Sequence, residues 1–139
     1  IEHRSQLHLS TEHKDYQGFN YALNEIAILR QDTASMITVH ANINGEYLTS
    51  YEADGLIIAT PTGSTAYALS VGGPVMTPDA ENFVIAAIAP HSLGDRPLVV
   101  RDDCVMTFDV EIRNNSFRVS LDGRSNIFKT GTKRISTFR

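Results

Sequence analysis

The chain has 139 residues, of which 42% are hydrophobic and 20% charged, so it is long enough for one globular domain with a buried core. Its 16 acidic and 12 basic residues give a formal net charge of −4, which argues against a general nucleic-acid-binding protein. The single cysteine, Cys104, excludes an intramolecular disulfide and a cysteine-based zinc cluster. With no apolar run near the roughly 20 residues of a membrane helix and no secretory signal, we expect a soluble, cytoplasmic domain.

The first half of the chain predicts β-strands. Residues 1–9 alternate loosely between apolar and polar side chains, as a half-buried strand does. Residues 35–52 form two alternating runs around Asn44-Gly45, a dipeptide that strongly favours a β-hairpin. The run GLIIAT (55–60) is apolar and contains β-branched residues, so we expect a strand that is buried on both faces.

The second half continues this pattern. The run FVIAAIA (83–89) fits either a buried strand or a piece of helix. Asp102-Asp103 is expected to be a solvated turn, and Asp122-Gly123 supplies another turn. Further strands are predicted at 98–100, 104–112, 117–122 and 132–138, with a turn at 113–116. Strands at intervals of about ten residues are typical of an all-β sandwich, so we predict a two-layer β-sandwich.

One segment, DGLIIATPTGSTAYALSVGGP (54–74), departs from the strand pattern. Pro61 ends ladder pairing, and Gly63 permits a backbone shape or a close approach that a side chain would forbid. Ser64 or Thr65 can cap the short helix that the following residues favour. A strand that leads into a glycine- and hydroxyl-rich loop and a helix N-terminus suits a polar or anionic ligand.

The residues alone exclude one function for this loop and leave one structural alternative. The segment lacks both GxxxxGK[ST] and GxGxxG, so it does not hold a triphosphate in the manner of a P-loop. Its glycines and hydroxyls also suit an ordinary turn that binds nothing. The residues of the loop therefore leave a ligand site and a plain structural turn both open.

Four segments of the chain resemble the NAD kinase family, whose members phosphorylate the 2′-hydroxyl on the adenosine ribose of NAD to make NADP. Segment 54–74 closely resembles the family's signature segment, and YALNEIAI (21–28) resembles its Asn-Glu segment. IAPHSLGDRPLVV (88–100) is similar to its Pro-His-Ser-Leu and Arg-Pro-Leu stretch, and VSLDGRS (119–125) to its Asp-Gly turn. The resemblance implies a phosphotransferase that uses NAD, with ATP or polyphosphate as donor and Mg²⁺ or another divalent cation.

The resemblance also implies a missing domain. NAD kinases have an N-terminal α/β domain with a GGDG motif, whose aspartate is the presumed general base, and a C-terminal all-β domain. No GGDG occurs here, and the chain does not begin with Met. We therefore expect residues 1–139 to be the NAD-binding C-terminal domain alone, without a catalytic residue of its own. Its expected partners are the α/β domain and further copies, in a homodimer or homotetramer, but no nucleic acid or membrane.

The same resemblance implies an NAD site. Asn24 can donate and accept hydrogen bonds at once, as a purine edge requires, and Glu25 is an acceptor suited to ribose hydroxyls. Asp54 is implied to contribute across a subunit interface. The turn similar to the family's adenine-binding turn consists of Thr65, Ala66, Tyr67, Ala68, Leu69 and Ser70. From the residues alone, Asn24-Glu25 could also face solvent on a strand, Asp54 could be a turn residue, and Tyr67 could belong to the core.

Two positions depart from the family. Glu52 stands where many members have Arg, so it cannot bind a phosphate there. Arg124 stands where many have Gln, and we include it as a tentative NAD-binding residue. No histidine has metal-ligand spacing, so no metal-binding residue is predicted. The alternative functions are a non-catalytic β-sandwich for nucleotide binding or oligomerisation, and half of a related lipid kinase.

Overall fold

The computed structural model describes residues 6–11, 20–31, 36–92, 95–112, 116–129 and 134–138. Within these ranges the chain forms twelve β-strands, one 3₁₀ helix and one short α-helix. The strands are β1 Leu7–Thr11, β2 Tyr21–Ala22, β3 Glu25–Arg30, β4 Ile37–Ile43, β5 Glu46–Ala53, β6 Gly55–Ala59, β7 Asn82–Ile88, β8 Leu98–Arg101, β9 Met106–Glu111, β10 Ser116–Leu121, β11 Arg124–Lys129 and β12 Arg134–Phe138. The 3₁₀ helix is Thr62–Thr65 and the α-helix, α1, is Tyr67–Ser70. The predicted all-β class, with one short helix after the loop, is confirmed.

The strands form two six-stranded sheets. The first sheet has the order β2-β1-β12-β9-β4-β5, and the second has the order β11-β10-β3-β6-β7-β8. Their neighbouring strands pair antiparallel, as in the β3–β6 pair that matches Glu25 with Ala59 and Leu29 with Gly55. One apolar cluster contains buried side chains of both sheets, so the sheets pack face to face as the predicted two-layer sandwich.

The central strand β6 is buried on both faces, as its sequence predicts. Leu56 and Ile58 belong to the core between the sheets. Ile57 and Ala59 point the opposite way into a second apolar cluster, which also contains Ala68 of α1. Because successive strand residues point to opposite faces, a strand that is apolar at every position needs a cover on both sides. The 3₁₀ helix, α1 and the segment that follows supply the cover on the outer face of the second sheet.

Two hairpin turns have the same backbone geometry. Asn44 and Gly45 have φ angles of 50° and 84°, and Asp122 and Gly123 have 49° and 85°. Positive φ at both central residues is the type I′ arrangement that Asn-Gly and Asp-Gly favour. The predicted hairpin at Asn44-Gly45 is confirmed. The turn at Asp122-Gly123 leads into β11, a strand that the sequence analysis does not predict.

Several sequence predictions need correction or lie outside the description. Residues 83–89, which fitted a strand or a helix, are largely strand β7. The predicted strand at 104–112 begins only at Met106. Asp102 is not solvated, since its exposed fraction is 3%. The turn folds back on the chain here, and the Asp102 N–H donates to the Glu81 carbonyl at 3.0 Å. Residues 1–5, 35, 113–115 and 132–133 of the predicted elements lie outside the described residues.

Candidate functional site

The candidate site is built on a bend between β2 and β3, formed by Leu23 and Asn24. Three consecutive backbone N–H groups of this bend donate to one carboxylate, that of Asp122. The distances are 2.7 Å from the Leu23 nitrogen, 2.8 Å from the Asn24 nitrogen and 2.9 Å from the Glu25 nitrogen. The Asp122 N–H in turn donates to the Glu25 carbonyl at 3.1 Å. The turn after β10 therefore holds the N–H side of the bend.

Thr60, at the end of β6, holds the carbonyl side of the same bend. Its Oγ1 donates to the Leu23 carbonyl at 2.6 Å, and its backbone N–H donates to the Asn24 carbonyl at 2.9 Å. Backbone groups that are engaged by neighbouring elements need no help from nearby side chains. The fold therefore does not need the Asn24 amide to hold the bend.

Gly63 lets the 3₁₀ helix lie directly on the bend. A Cβ atom at this position would stand 1.9 Å from the Asn24 carbonyl oxygen, a distance that no side chain tolerates. The Gly63 N–H also donates to Thr60 Oγ1 at 3.1 Å. The close approach that the sequence predicts for this glycine thus occurs, and the partner is the protein's own backbone.

Glu25 joins the bend to α1. Its half-buried carboxyl lies near the backbone N–H of Tyr67, the first residue of α1, and this N–H acts on its pKa. Burial raises the pKa of this carboxyl above its usual value, the Tyr67 N–H lowers it in part, and the negative charge of Asp122 raises it further. The Asn24-Glu25 pair and the 65–70 turn, about 40 residues apart in sequence, therefore meet in one place.

Most of the predicted adenine-binding turn is accessible. Tyr67 and Leu69 are 40% and 45% exposed, and the nearby Leu23 is 42% exposed, so Tyr67 is not a core residue. The turn residues Thr65, Ala66 and Ser70 are exposed as well. Ala68 is the exception, since it is fully buried in the second apolar cluster and serves the fold.

The predicted helix cap is wrong. The residue that precedes α1 is Ala66, and no side chain caps either helical segment. Ser64 is buried instead, where its Oγ donates to the Pro61 carbonyl at 2.7 Å and accepts the Met76 N–H at 3.0 Å. Thr65 Oγ1 makes only a long contact, 3.4 Å, to the Thr62 carbonyl. The 3₁₀ helix turns these hydroxyls back onto their own loop, which removes them from the start of α1.

Arg124, the tentative ligand residue, lies beside the bend but is engaged with the backbone. Its guanidinium donates to the Tyr21 carbonyl at 2.6 Å and to the Leu121 carbonyl at 3.1 Å. The ring of Tyr21 stacks on His8, with centroids 4.3 Å apart. Arg124 therefore ties the end of β10 to β2, the strand that directly precedes the bend.

Asp54 does not join this site within one chain. It lies between β5 and β6, where its carboxylate pairs with the Arg30 guanidinium at 3.2 Å. The bend is at the opposite end of β6, so the five-residue strand separates the two by roughly 17 Å. Glu52 is at the same end as Asp54, with its carbonyl accepting the His91 N–H at 2.7 Å.

The sequence analysis missed Thr60 and Asp122 as members of the site. Thr60 is predicted only as the end of a strand, and Asp122 only as a turn residue. Among the residues that the structure describes, no group of three or more His, Cys, Asp or Glu side chains could hold a metal ion. No helix in the described ranges is long and apolar enough to cross a membrane.

Residues 23–137 match the family model of the ATP-NAD kinase C-terminal domain, a span that includes the bend, the 3₁₀ helix, α1 and Asp122. The chain belongs to this family. The chain is also similar to curated NAD kinases. It is 53% identical to one from Bacteroides fragilis and 47% identical to one from Cytophaga hutchinsonii, each over 133 residues. These alignments cover 96% of this chain and 46% of each relative. The chain thus spans about half the length of the curated NAD kinases that it matches.

Solved structures of the family have the same fold. A yeast NADH kinase complexed with NADH superposes with a TM-score of 0.86 at 29% identity, over 98% of this chain and 40% of that one. An NAD kinase from Archaeoglobus fulgidus in complex with ATP superposes with a TM-score of 0.82 at 34% identity, over 98% of this chain and 51% of that one. The β-sandwich of this chain is therefore the C-terminal domain fold of NAD kinases.

Proposed function

We propose that this chain is the nucleotide-binding half of an NAD kinase. The complete enzyme transfers a phosphoryl group from ATP or polyphosphate to the 2′-hydroxyl of the adenosine ribose of NAD, which gives NADP. The observation that carries the proposal is the meeting of Glu25 with the N–H of Tyr67, because it unites two sequence segments that the family resemblance links to NAD. Membership of the NAD kinase C-terminal domain family supports the same activity.

In this proposal the site binds the adenosine part of NAD. The Asn24 amide pairs with the purine edge, since it offers a donor and an acceptor side by side. The Glu25 carboxylate receives ribose hydroxyls, because one N–H from Tyr67 leaves acceptor positions on its oxygens. The exposed ring of Tyr67 and the backbone of residues 65–70 contact the base.

The catalytic base belongs to the α/β domain with the GGDG motif, which is not part of this chain. Phosphoryl transfer depends mainly on positioning and on neutralising the charge of the phosphates. Mg²⁺ would enter with the phosphates of the donor. The task of the described residues is to hold the adenosine so that its 2′-hydroxyl faces the other domain.

Asp54 serves the site of a neighbouring subunit in this proposal, within a homodimer or homotetramer. Its distance from the bend of its own chain supports such a role, since β6 separates them. The Arg30 guanidinium fixes the Asp54 carboxylate at the far end of the second sheet. We place the enzyme in the cytoplasm, which suits a chain with one cysteine.

The test measures NADP formation from NAD, ATP and Mg²⁺ by the full-length protein and by residues 1–139 alone. We expect turnover by the full-length protein and none by the isolated chain, because the general base is absent from it. NAD binding without turnover by the full-length protein would support the non-catalytic alternative. Phosphorylation of diacylglycerol or sphingosine in place of NAD would support the lipid kinase alternative and contradict the proposal.

A further inference from the structure

Each of the two type I′ turns in the described residues holds a distant stretch of backbone through the side chain of its first residue. Asn44 Oδ1 accepts one N–H, that of Val105, at 2.8 Å. The Asp122 carboxylate accepts three, from consecutive residues of the bend that carries Asn24 and Glu25. A type I′ turn closes without either contact, because it needs only two residues that tolerate positive φ. The three bonds of Asp122 therefore serve the bend.

Consecutive N–H groups that converge on one point form a concave site for an anion. Here the protein fills that site with its own carboxylate, and hydrogen bonds to a charged oxygen are about twice as strong as neutral ones. Since Thr60 binds the carbonyls of Leu23 and Asn24, the bend is held from both sides. Without the Asp122 carboxylate, three N–H groups would turn to water, and the Thr60 contacts and the backbone bond from the Asp122 N–H to the Glu25 carbonyl would remain.

We infer that Asp122 is a positioning residue of the NAD site, which sets the orientation of Asn24 and Glu25 through the backbone between them. The inference rests on the proposed function, because it assigns the bend to NAD. Asp122 itself touches no reacting atom in this scheme. Its carboxylate accepts the N–H groups of Leu23, Asn24 and Glu25 and so holds the backbone of the bend, and its charge also raises the pKa of the Glu25 carboxyl.

Asp122→Gly and Asn44→Gly are a matched pair of variants for the full-length enzyme. Glycine keeps the positive φ at both turns, and each variant loses only a side chain that holds a distant stretch of backbone. We expect both variants to melt at a lower temperature than the wild type. Only Asp122→Gly should raise the KM for NAD, by about tenfold, while the KM for ATP changes by less than about twofold in both.

Asp122→Asn keeps the test valid if the glycine variant does not fold, because asparagine also tolerates positive φ. It retains an amide oxygen but loses the charge, so we expect a KM for NAD between those of the wild type and Asp122→Gly. An active wild type with an unchanged KM for NAD in the folded Asp122 variants would overturn the inference alone. A full-length wild type that forms no NADP would overturn the proposed function, and the NAD role of Asp122 with it.

Discussion

The surroundings of Glu25 disfavour the charged form of its carboxyl group. It is half-buried, the negative charge of Asp122 is nearby, and only the N–H of Tyr67 is identified as lowering its pKa. A group whose pKa is raised by burial and by a like charge, next to a helix start, is typical of a binding or catalytic site.

The raised pKa of Glu25 predicts a dependence of stability on pH. The folded protein binds this proton more tightly than the unfolded chain, so the stabilisation is complete below the ordinary value of 4.5 and is lost as pH rises through the folded pKa. Glu25→Gln removes this titration. The free energy of unfolding of the variant, relative to the wild type, should therefore be higher at pH 7 than at pH 4.5.

Urea midpoints at the two pH values measure the effect of Glu25→Gln, and Glu46→Gln is the control. Glu46 is exposed at the start of β5, away from the bend, so its replacement leaves the Glu25 carboxyl in place. Equal shifts of the midpoint at both pH values for Glu25→Gln would contradict the unfavourable charge at this position.

At the scale of single elements, the short loop layer on the second sheet depends on Ser64. The side chain is fully buried. Its Oγ donates to the Pro61 carbonyl and accepts the N–H of Met76, twelve residues further along the chain. Val71 and Met76 in this layer pack on the second apolar cluster. Ser64 therefore ties the 3₁₀ helix to the segment that covers β6.

Ser64→Ala should destabilise the protein by about 1–3 kcal/mol, because the Met76 N–H would lose its buried acceptor. The matched control is Ser70→Ala, whose exposed Oγ donates to the Tyr67 carbonyl at 2.7 Å. A surface change of this kind is expected to alter stability by less than about 0.5 kcal/mol. Denaturant unfolding of both variants checks the prediction, and equal losses would contradict the role of Ser64.

Local sequence signals predict the elements whose structure is decided locally. The Asn44-Gly45 hairpin and the doubly buried β6 follow from turn chemistry and from a run of apolar residues. Strand β11 (Arg124–Lys129) shows no such run, since only Ile127 and Phe128 in it are apolar, and it forms by pairing with β10. The prediction of a side-chain cap for the helix is also wrong, because the hydroxyl of Ser64 accepts the N–H of the distant Met76 instead.

The candidate site shows the same difference between local signals and long-range contacts. The resemblance assigns Asn24, Glu25 and the 65–70 turn to one site, and in the structure Glu25 lies near the backbone of Tyr67. The role of Asp122 is not predictable from local patterns, because 98 residues separate it from Asn24. Only the antiparallel pairing of β3 with β10 places the Asp122-Gly123 turn beside the bend.

At the scale of the whole molecule, the edges of the two sheets bear on association with other chains. Among the described strands, β2, β5, β8 and β11 lie at the edges of the sheets. Exposed edge strands favour association with further chains unless they are covered. Asp54 and the bend lie at opposite ends of β6, so a site that uses both needs two chains.

We therefore expect residues 1–139 to self-associate. Sedimentation velocity over a dilution series up to tens of micromolar should show species larger than the monomer, with their share falling on dilution. A monomer at every concentration would contradict the expectation that this domain builds the oligomer.

The central claim is that Asn24 binds the adenine of NAD, and Asn24→Asp in the full-length enzyme tests it most directly. The change keeps the size of the side chain but replaces an NH₂ donor with an acceptor, at a cost on the order of 1–3 kcal/mol in NAD binding. This corresponds to a KM for NAD that is about tenfold higher or more. The melting temperature of the same preparation should barely change, because Asp122 and Thr60 hold the bend through its backbone. An unchanged KM with a lowered melting temperature would show that Asn24 is structural and that the adenosine site lies elsewhere.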